Sequence, residues 1–146
     1  MKSIVTYEEK CTGCRLCMLA CSFKKEKEYN LIKSRITLLQ VDGSNIPTTC
    51  RHCKNAPCIK ACPVDAIKRD GDIVKIDNDT CIVCRVCIEA CPFGSISVNP
   101  DKESMIKCDL CGGDPECAKY CAYQAIEYID ERERVYNKRL KSIIDK

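Results

Sequence analysis

The chain has no tryptophan, only two phenylalanines and six tyrosines, and a single histidine in 146 residues. So few large aromatics leave a thin organic core for this length, and something other than hydrocarbon must fill the interior. No apolar stretch approaches the ~20 residues of a membrane-spanning helix. The start, MKSIVTYEEKC, has neither the apolar segment and cleavage site of a secretory leader nor a twin-arginine pair. The expected location is therefore the cytoplasm, with reduced thiols. No GxGxxG nucleotide loop and no nucleophile–base pair is evident, which argues against an enzyme in its own right. The length suits one compact unit with room for two small lobes.

What the chain does have is cysteine, sixteen of them in four groups of four. Cys11, Cys14, Cys17 and Cys21 are spaced C-x2-C-x2-C-x3-C. Cys50, Cys53, Cys58 and Cys62 are spaced C-x2-C-x4-C-x3-C. Cys81, Cys84, Cys87 and Cys91 repeat the first spacing. Cys108, Cys111, Cys117 and Cys121 are spaced C-x2-C-x5-C-x3-C. The third group, followed by Pro92, matches in full the C-x2-C-x2-C-x3-C-P run of bacterial [4Fe–4S] ferredoxins. Three cysteines in a tight loop can wrap three corners of a cube, with loop N–H groups offsetting its charge. The fourth, on a helical turn, points away and in two-cluster proteins ligates the neighbouring cluster. Four groups of four imply four [4Fe–4S] clusters and a carrier of electrons.

Two other readings of the thiols are weaker. Structural zinc takes two C-x2-4-C knuckles separated by a longer segment, not three cysteines packed together. A disulfide framework needs an oxidising compartment. The formal charge of +3 counts thiols as neutral. With roughly −2 per ligated cluster the loaded protein stands at about −5. The lysines are then partly counter-charge and no nucleic-acid partner is implied.

Along the chain, Ser3–Tyr7, Arg35–Val41 and Ala125–Ile129 read as strands. Ala66–Lys68 with Ile73–Ile76, and Ile96–Val98 with Met105–Lys107, read as hairpins around Asp70-Gly71 and Asn99-Pro100. The segments leading to each fourth cysteine read as short helices. The run Lys24–Glu28 reads as a solvated turn. His52, inside CRHC, reads as a hydrogen-bonding or packing residue rather than a proton carrier. The tail carries Tyr136, Leu140, Ile143 and Ile144 on one helical face. It either packs on its own body or clamps a partner.

The groups form an internal repeat, with Cys62-Pro63 and Cys91-Pro92 followed at one offset by Ala66-Ile67 and Ser95-Ile96. CRHCKNAPCIKACP and CIVCRVCIEACPFGSI resemble the four-cluster ferredoxin-like subunits of dimethyl sulfoxide reductase, formate dehydrogenase, hydrogenase and carbon monoxide dehydrogenase. CTGCRLCMLACS, SRITLL and CDLCGGDPECAKYC look most like the small subunit of tungsten aldehyde oxidoreductases. The small subunit of tungsten benzoyl-CoA reductase is a further match. Where ferredoxins have proline, Ser22 follows Cys21 and Ala122 follows Cys121.

The resemblance implies an α+β fold of two bacterial ferredoxin-like modules, nested and loop-rich, with groups one and four outermost and groups two and three within. It implies an outer module from residues 1–49 and 92–130, an inner module from 50–91 and a helical tail from 131–146. It implies four ligand sets: Cys11, Cys14, Cys17 and Cys121; Cys21, Cys108, Cys111 and Cys117; Cys50, Cys53, Cys58 and Cys91; and Cys62, Cys81, Cys84 and Cys87. The implied role is a non-catalytic electron relay. It would serve a large tungsten- or molybdenum-containing oxidoreductase subunit and a further electron-accepting subunit or ferredoxin, with no membrane span of its own. A free polyferredoxin and a zinc-stabilised interaction module are the alternatives.

Overall fold

Short runs of β-branched and apolar residues, each cut off by a turn, give this chain eight short strands instead of one broad sheet. A computed structural model describes residues 1–145. The strands are β1 (Lys2–Thr6), β2 (Ile36–Val41), β3 (Ser44–Thr49), β4 (Ile67–Asp70), β5 (Ile73–Ile76), β6 (Ile96–Val98), β7 (Met105–Lys107) and β8 (Ile126–Asp130). They pair antiparallel as four two-stranded ribbons. Three ribbons are local hairpins. The fourth pairs β1 with β8, setting Lys2 opposite Asp130 and Thr6 opposite Ile126. The two ends of the repeat thus meet, and the N-terminal ammonium lies 2.9 Å from Asp130 Oδ2.

Four short helices carry the third cysteine of each group: α1 (Leu16–Glu26), α2 (Pro57–Ala61), α3 (Val86–Ala90) and α4 (Glu116–Lys119). Cys17, Cys58, Cys87 and Cys117 are all buried. Helix α1 packs on α4, and α2 on α3. One apolar cluster joins Cys17, Cys21 and Cys117 to Met18, Ile36, Leu38 and Ile126. A second joins Cys58 and Cys87 to Ile67, Val74, Ile96 and Met105. Groups one and four share one core and groups two and three the other, so the α+β fold is nested. With so few aromatics, the cysteines themselves are a large part of both cores.

Two local features differ from the sequence reading. Residues 24–26 of the charged run belong to α1, which ends at Lys27 (φ +59), whose N–H donates to Phe23 O at 2.9 Å. The helix survives because its charges have partners: Lys25 pairs with Asp109, and Glu26 with Arg35 at 2.7 Å. Strand β2 runs into a turn at Asp42-Gly43 and pairs with a strand that the sequence reading did not include. Both residues have positive φ (+49 and +80), the type I′ geometry that reverses a hairpin, and the chain returns as β3. The hairpin β6–β7 buries Ile96 and Met105 in the second core.

Beyond β8, Asp130 accepts Arg132 N–H at 2.9 Å and caps α5 (Glu131–Ile144). Tyr136, Ile143 and Ile144 on this helix are exposed.

Candidate metal centres

Each cysteine loop is shaped by the same backbone device. The residue two positions after the first cysteine has positive φ in all four groups: Gly13 (+77), His52 (+46), Val83 (+56) and Leu110 (+55). That turn folds the loop back, so backbone N–H groups face sulfur. His52, Val83 and Leu110 each donate N–H to the preceding Sγ of Cys50, Cys81 and Cys108 at 3.4 Å. A second device follows the fourth cysteine. Asp65, Gly94 and Gln124 have φ of +53, +60 and +53. Ala66 and Ala125 then donate to Cys62 and Cys121 Sγ at 3.3 Å. In the first group α1 runs on, and Arg35 N–H from β2 donates to Cys21 Sγ at 3.2 Å instead. Such N–H groups neutralise anionic sulfur.

The thiols gather into four pockets. The first, ≈ 340 Å³, is lined by Cys11, Cys14, Cys17 and Cys121. The second, ≈ 290 Å³, is lined by Cys21, Cys108, Cys111 and Cys117. The third, ≈ 350 Å³, is lined by Cys50, Cys53, Cys58 and Cys91. The fourth, ≈ 310 Å³, is lined by Cys62, Cys81, Cys84 and Cys87. In every pocket three thiols come from one loop and the fourth from another group.

Among the described residues, no three Cys, His, Asp or Glu side chains converge closely enough to hold one metal ion. The thiols stand around a space. That spread suits a four-iron core taking one thiolate per corner, not a lone zinc with sulfurs at about 2.3 Å.

Burial pushes the Cys17 and Cys108 thiols up to about 11, and raises Cys117, Cys58, Cys87 and Cys111 as well. Neighbouring thiols add to the effect. Cys17 and Cys117, of the first and second pockets, share one apolar cluster, Cys58 and Cys87, of the third and fourth, share the other, and the chain neighbours Thr49 and Cys50 line the second and third. The pockets therefore stand in series, first to fourth. Cys14 and Cys84, in the two terminal pockets, are exposed.

The third pocket has polar company that the sequence did not signal. Lys107 is buried, with Nζ donating to Cys108 O at 3.0 Å and to Val74 O. Arg69 donates to the His52 and Cys53 carbonyls and braces the loop. His52 is 2% exposed, and its Nδ1 accepts Val74 N–H at 3.0 Å. Burial, with Lys107 and Arg69 nearby, lowers its pKa to about 4. With Nδ1 held as an acceptor by Val74 N–H, the ring is placed as a hydrogen-bonding residue.

Comparison with known proteins agrees with this chemistry. A 4Fe-4S dicluster domain matches residues 41–132, and a 4Fe-4S binding domain matches residues 8–24. An uncharacterized ferredoxin of Methanocaldococcus jannaschii is 38% identical over 98% of this chain and 81% of its own length. The polyferredoxin-like subunit of an aliphatic sulfonate oxidoreductase of Pyrococcus furiosus is 38% identical, covering 81% of this chain and 70% of that one. The fold superimposes on a chain of the benzoyl coenzyme A reductase active-site complex BamBC, solved with zinc. The TM-score is 0.53 and the identity 26%, over 100% of this chain and 91% of that one. With sixteen cysteines that fit four [4Fe–4S] clusters, the chain belongs to the 4Fe-4S dicluster family of ferredoxin-like electron-transfer proteins.

Proposed function

We propose that this chain is the non-catalytic iron–sulfur subunit of an oxidoreductase complex, relaying single electrons through four clusters in series. The observation that carries the reading is the line of thiol pockets, joined by Cys17 with Cys117 in one core, Thr49 with Cys50 between the second and third pockets, and Cys58 with Cys87 in the other core. The proposed ligand sets are the four thiols lining each pocket, first to fourth. When bound, such clusters accept and release one electron each. The protein's part is to hold sixteen thiolates, aim N–H groups at their sulfurs and bury the middle of the line while leaving its ends near the surface.

The terminal pockets are where electrons come in and leave. Around Cys14 and Cys84 stand the exposed apolar residues Leu16, Ile82 and Val86, a surface suited to close protein contact. The proposed partner is a large tungsten- or molybdenum-containing catalytic subunit of the aldehyde oxidoreductase type, with a second electron-accepting subunit or ferredoxin at the other end. The aliphatic sulfonate oxidoreductase relative supports a partner of this general kind. A cytoplasmic setting is part of the reading. Among the described residues no helix is long and apolar enough to cross a membrane.

The modular division belongs to the same proposal. The proposed outer module takes residues 1–49 and 92–130, and the inner module residues 50–91. Ile96 and Met105 of the hairpin β6–β7 pack against the inner module's core.

The test is reconstitution of the purified catalytic partner with and without this chain. Electron delivery from the partner's substrate to a viologen should depend on the chain. Equal rates without it, or turnover of substrate by the chain alone, would refute the relay.

A further inference from the structure

Among the described residues, two buried side-chain polar atoms have no hydrogen-bond partner: His52 Nε2 and Arg35 Nε. Both are N–H donors, and both residues line thiol pockets. His52 lines the third and Arg35 the second, the two middle positions of the series. A buried donor left unsatisfied is costly, so two such atoms at two adjacent pockets point to a shared acceptor chemistry.

The tautomer at His52 follows from geometry. Val74 N–H donates to Nδ1 at 3.0 Å, so Nδ1 bears no proton and Nε2 carries the N–H. With only 2% of the residue exposed, bulk solvent is not its partner. Arg35 is similarly committed. Its Nη2 donates to Glu26 Oε1 at 2.7 Å and its Nη1 to Lys33 O at 2.9 Å, leaving Nε as the guanidinium nitrogen without a partner. The third pocket is also lined by two cationic side chains, the exposed Arg51 and the buried Lys107, whose Nζ meets only backbone carbonyls. The first and fourth pockets contain no orphaned buried donor among the described residues, and their arginines, Arg15 and Arg85, are exposed.

We propose that His52 Nε2–H and Arg35 Nε–H donate N–H···S hydrogen bonds to sulfurs of the third and second clusters, setting these two at higher reduction potential than the two terminal ones. The proposal rests on the ligand assignment given above. Hydrogen bonds to sulfur and nearby positive charge stabilise the reduced, more negative cluster and raise its potential. An electron taken up at either end then runs downhill into the middle of the chain, and the relay fills from its centre outward. Both residues are positioning groups; neither is a ligand.

The test uses the anaerobically purified holoprotein. His52 is the only histidine, so ring-15N-labelled histidine places a reporter at one position. Pulsed EPR of the partly reduced protein should show ring-nitrogen coupling to a single cluster. His52→Leu should move one midpoint potential to a more negative value and leave three in place, while His52→Gln, which keeps an N–H donor, should restore most of the shift. Arg35→Lys keeps the charge but lacks Nε–H, and should lower a different single potential. Absence of ring-nitrogen coupling, unmoved potentials in variants that retain four clusters, or terminal clusters that reduce before the middle ones would overturn the proposal. Should His52→Leu fail to load, the labelled wild-type protein decides alone. Fewer than four clusters in the wild-type protein would instead overturn the ligand assignment, a separate failure read from its iron content.

Discussion

Lys25 Nζ, near the end of α1, lies 2.5 Å from Asp109 Oδ1 and 2.6 Å from Oδ2. This contact fastens the first cysteine group's helix to the fourth group's loop. Asp109 also accepts Cys111 N–H at 3.0 Å, so the carboxylate shapes the loop that holds the second pocket. Burial alone would raise the Asp109 carboxyl, but Lys25 and the loop N–H groups outweigh it and hold the group below its ordinary value.

Lys25→Met should therefore loosen the outer module. The pair is partly exposed and screened, so the cost is about 1 kcal/mol. Denaturant midpoints of cluster bleaching will measure it. Because the folded carboxyl is lowered, its contribution is full above about pH 3.9 and is lost as pH falls through the lowered folded value. Wild type and variant should converge in acid, and a gap that widens there would contradict this pairing.

Metal analysis should return about sixteen iron and sixteen acid-labile sulfide per chain, because sixteen ligands divide into four cubes. A count near eight iron, or zinc as the main metal, would sink the four-cluster reading.

Exchange of the fourth ligand predicts a displaced lesion. Cys62 lies in the fourth pocket with Cys81, Cys84 and Cys87. Cys62→Ala should damage that cluster and spare the one at Cys50, Cys53 and Cys58. Loss at the Cys50 loop in cluster-resolved EPR is the contrary result.

Cluster assembly should depend on pH. An unperturbed thiol ionises near 8.5, but Cys17 and Cys108 are pushed up to about 11. At neutral pH these thiols carry protons that iron must displace. Reconstitution in weak buffer should release acid, and the apparent affinity for iron should rise from pH 7 to 9. In the metal-free chain the sign reverses. Stability conferred by the neutral buried thiols is full below about pH 8.5 and is gone once pH passes about 11.

Gly13 has φ +77, and a Cβ there would sit 2.8 Å from Asn45 Oδ1. Gly13→Ala should cost more than about 1 kcal/mol and weaken the first cluster, since the left-handed backbone disfavours a side chain and Asn45 must shift. Faster bleaching of one terminal cluster, with three unchanged, is the expected readout.

Ligand chemistry was legible in the cysteine spacing because three thiols of every cube come from one loop, and a loop is a local object. The hairpins were legible for the same reason: β6 and β7 span the residues that their alternation and turn suggest, and β4–β5 differs only at its ends. Residues 24–26 were misread because what keeps them helical, Asp109 and Arg35, lies far along the chain or beyond a turn. Strand β3 was missed since Pro47 and three threonine or serine residues hide its pairing with β2.

The sequence by itself determined the number and kind of metal centres, the repeat and the local turns, all governed by short-range backbone geometry. Only the tertiary structure decided that β1 closes on β8, that the pockets stand in series, and that His52, Arg35 and Lys107 face or flank the middle two. Those facts depend on which buried surfaces meet. The packing of α1 on α4 and of α2 on α3 settles that over distances at which residue spacing carries no information.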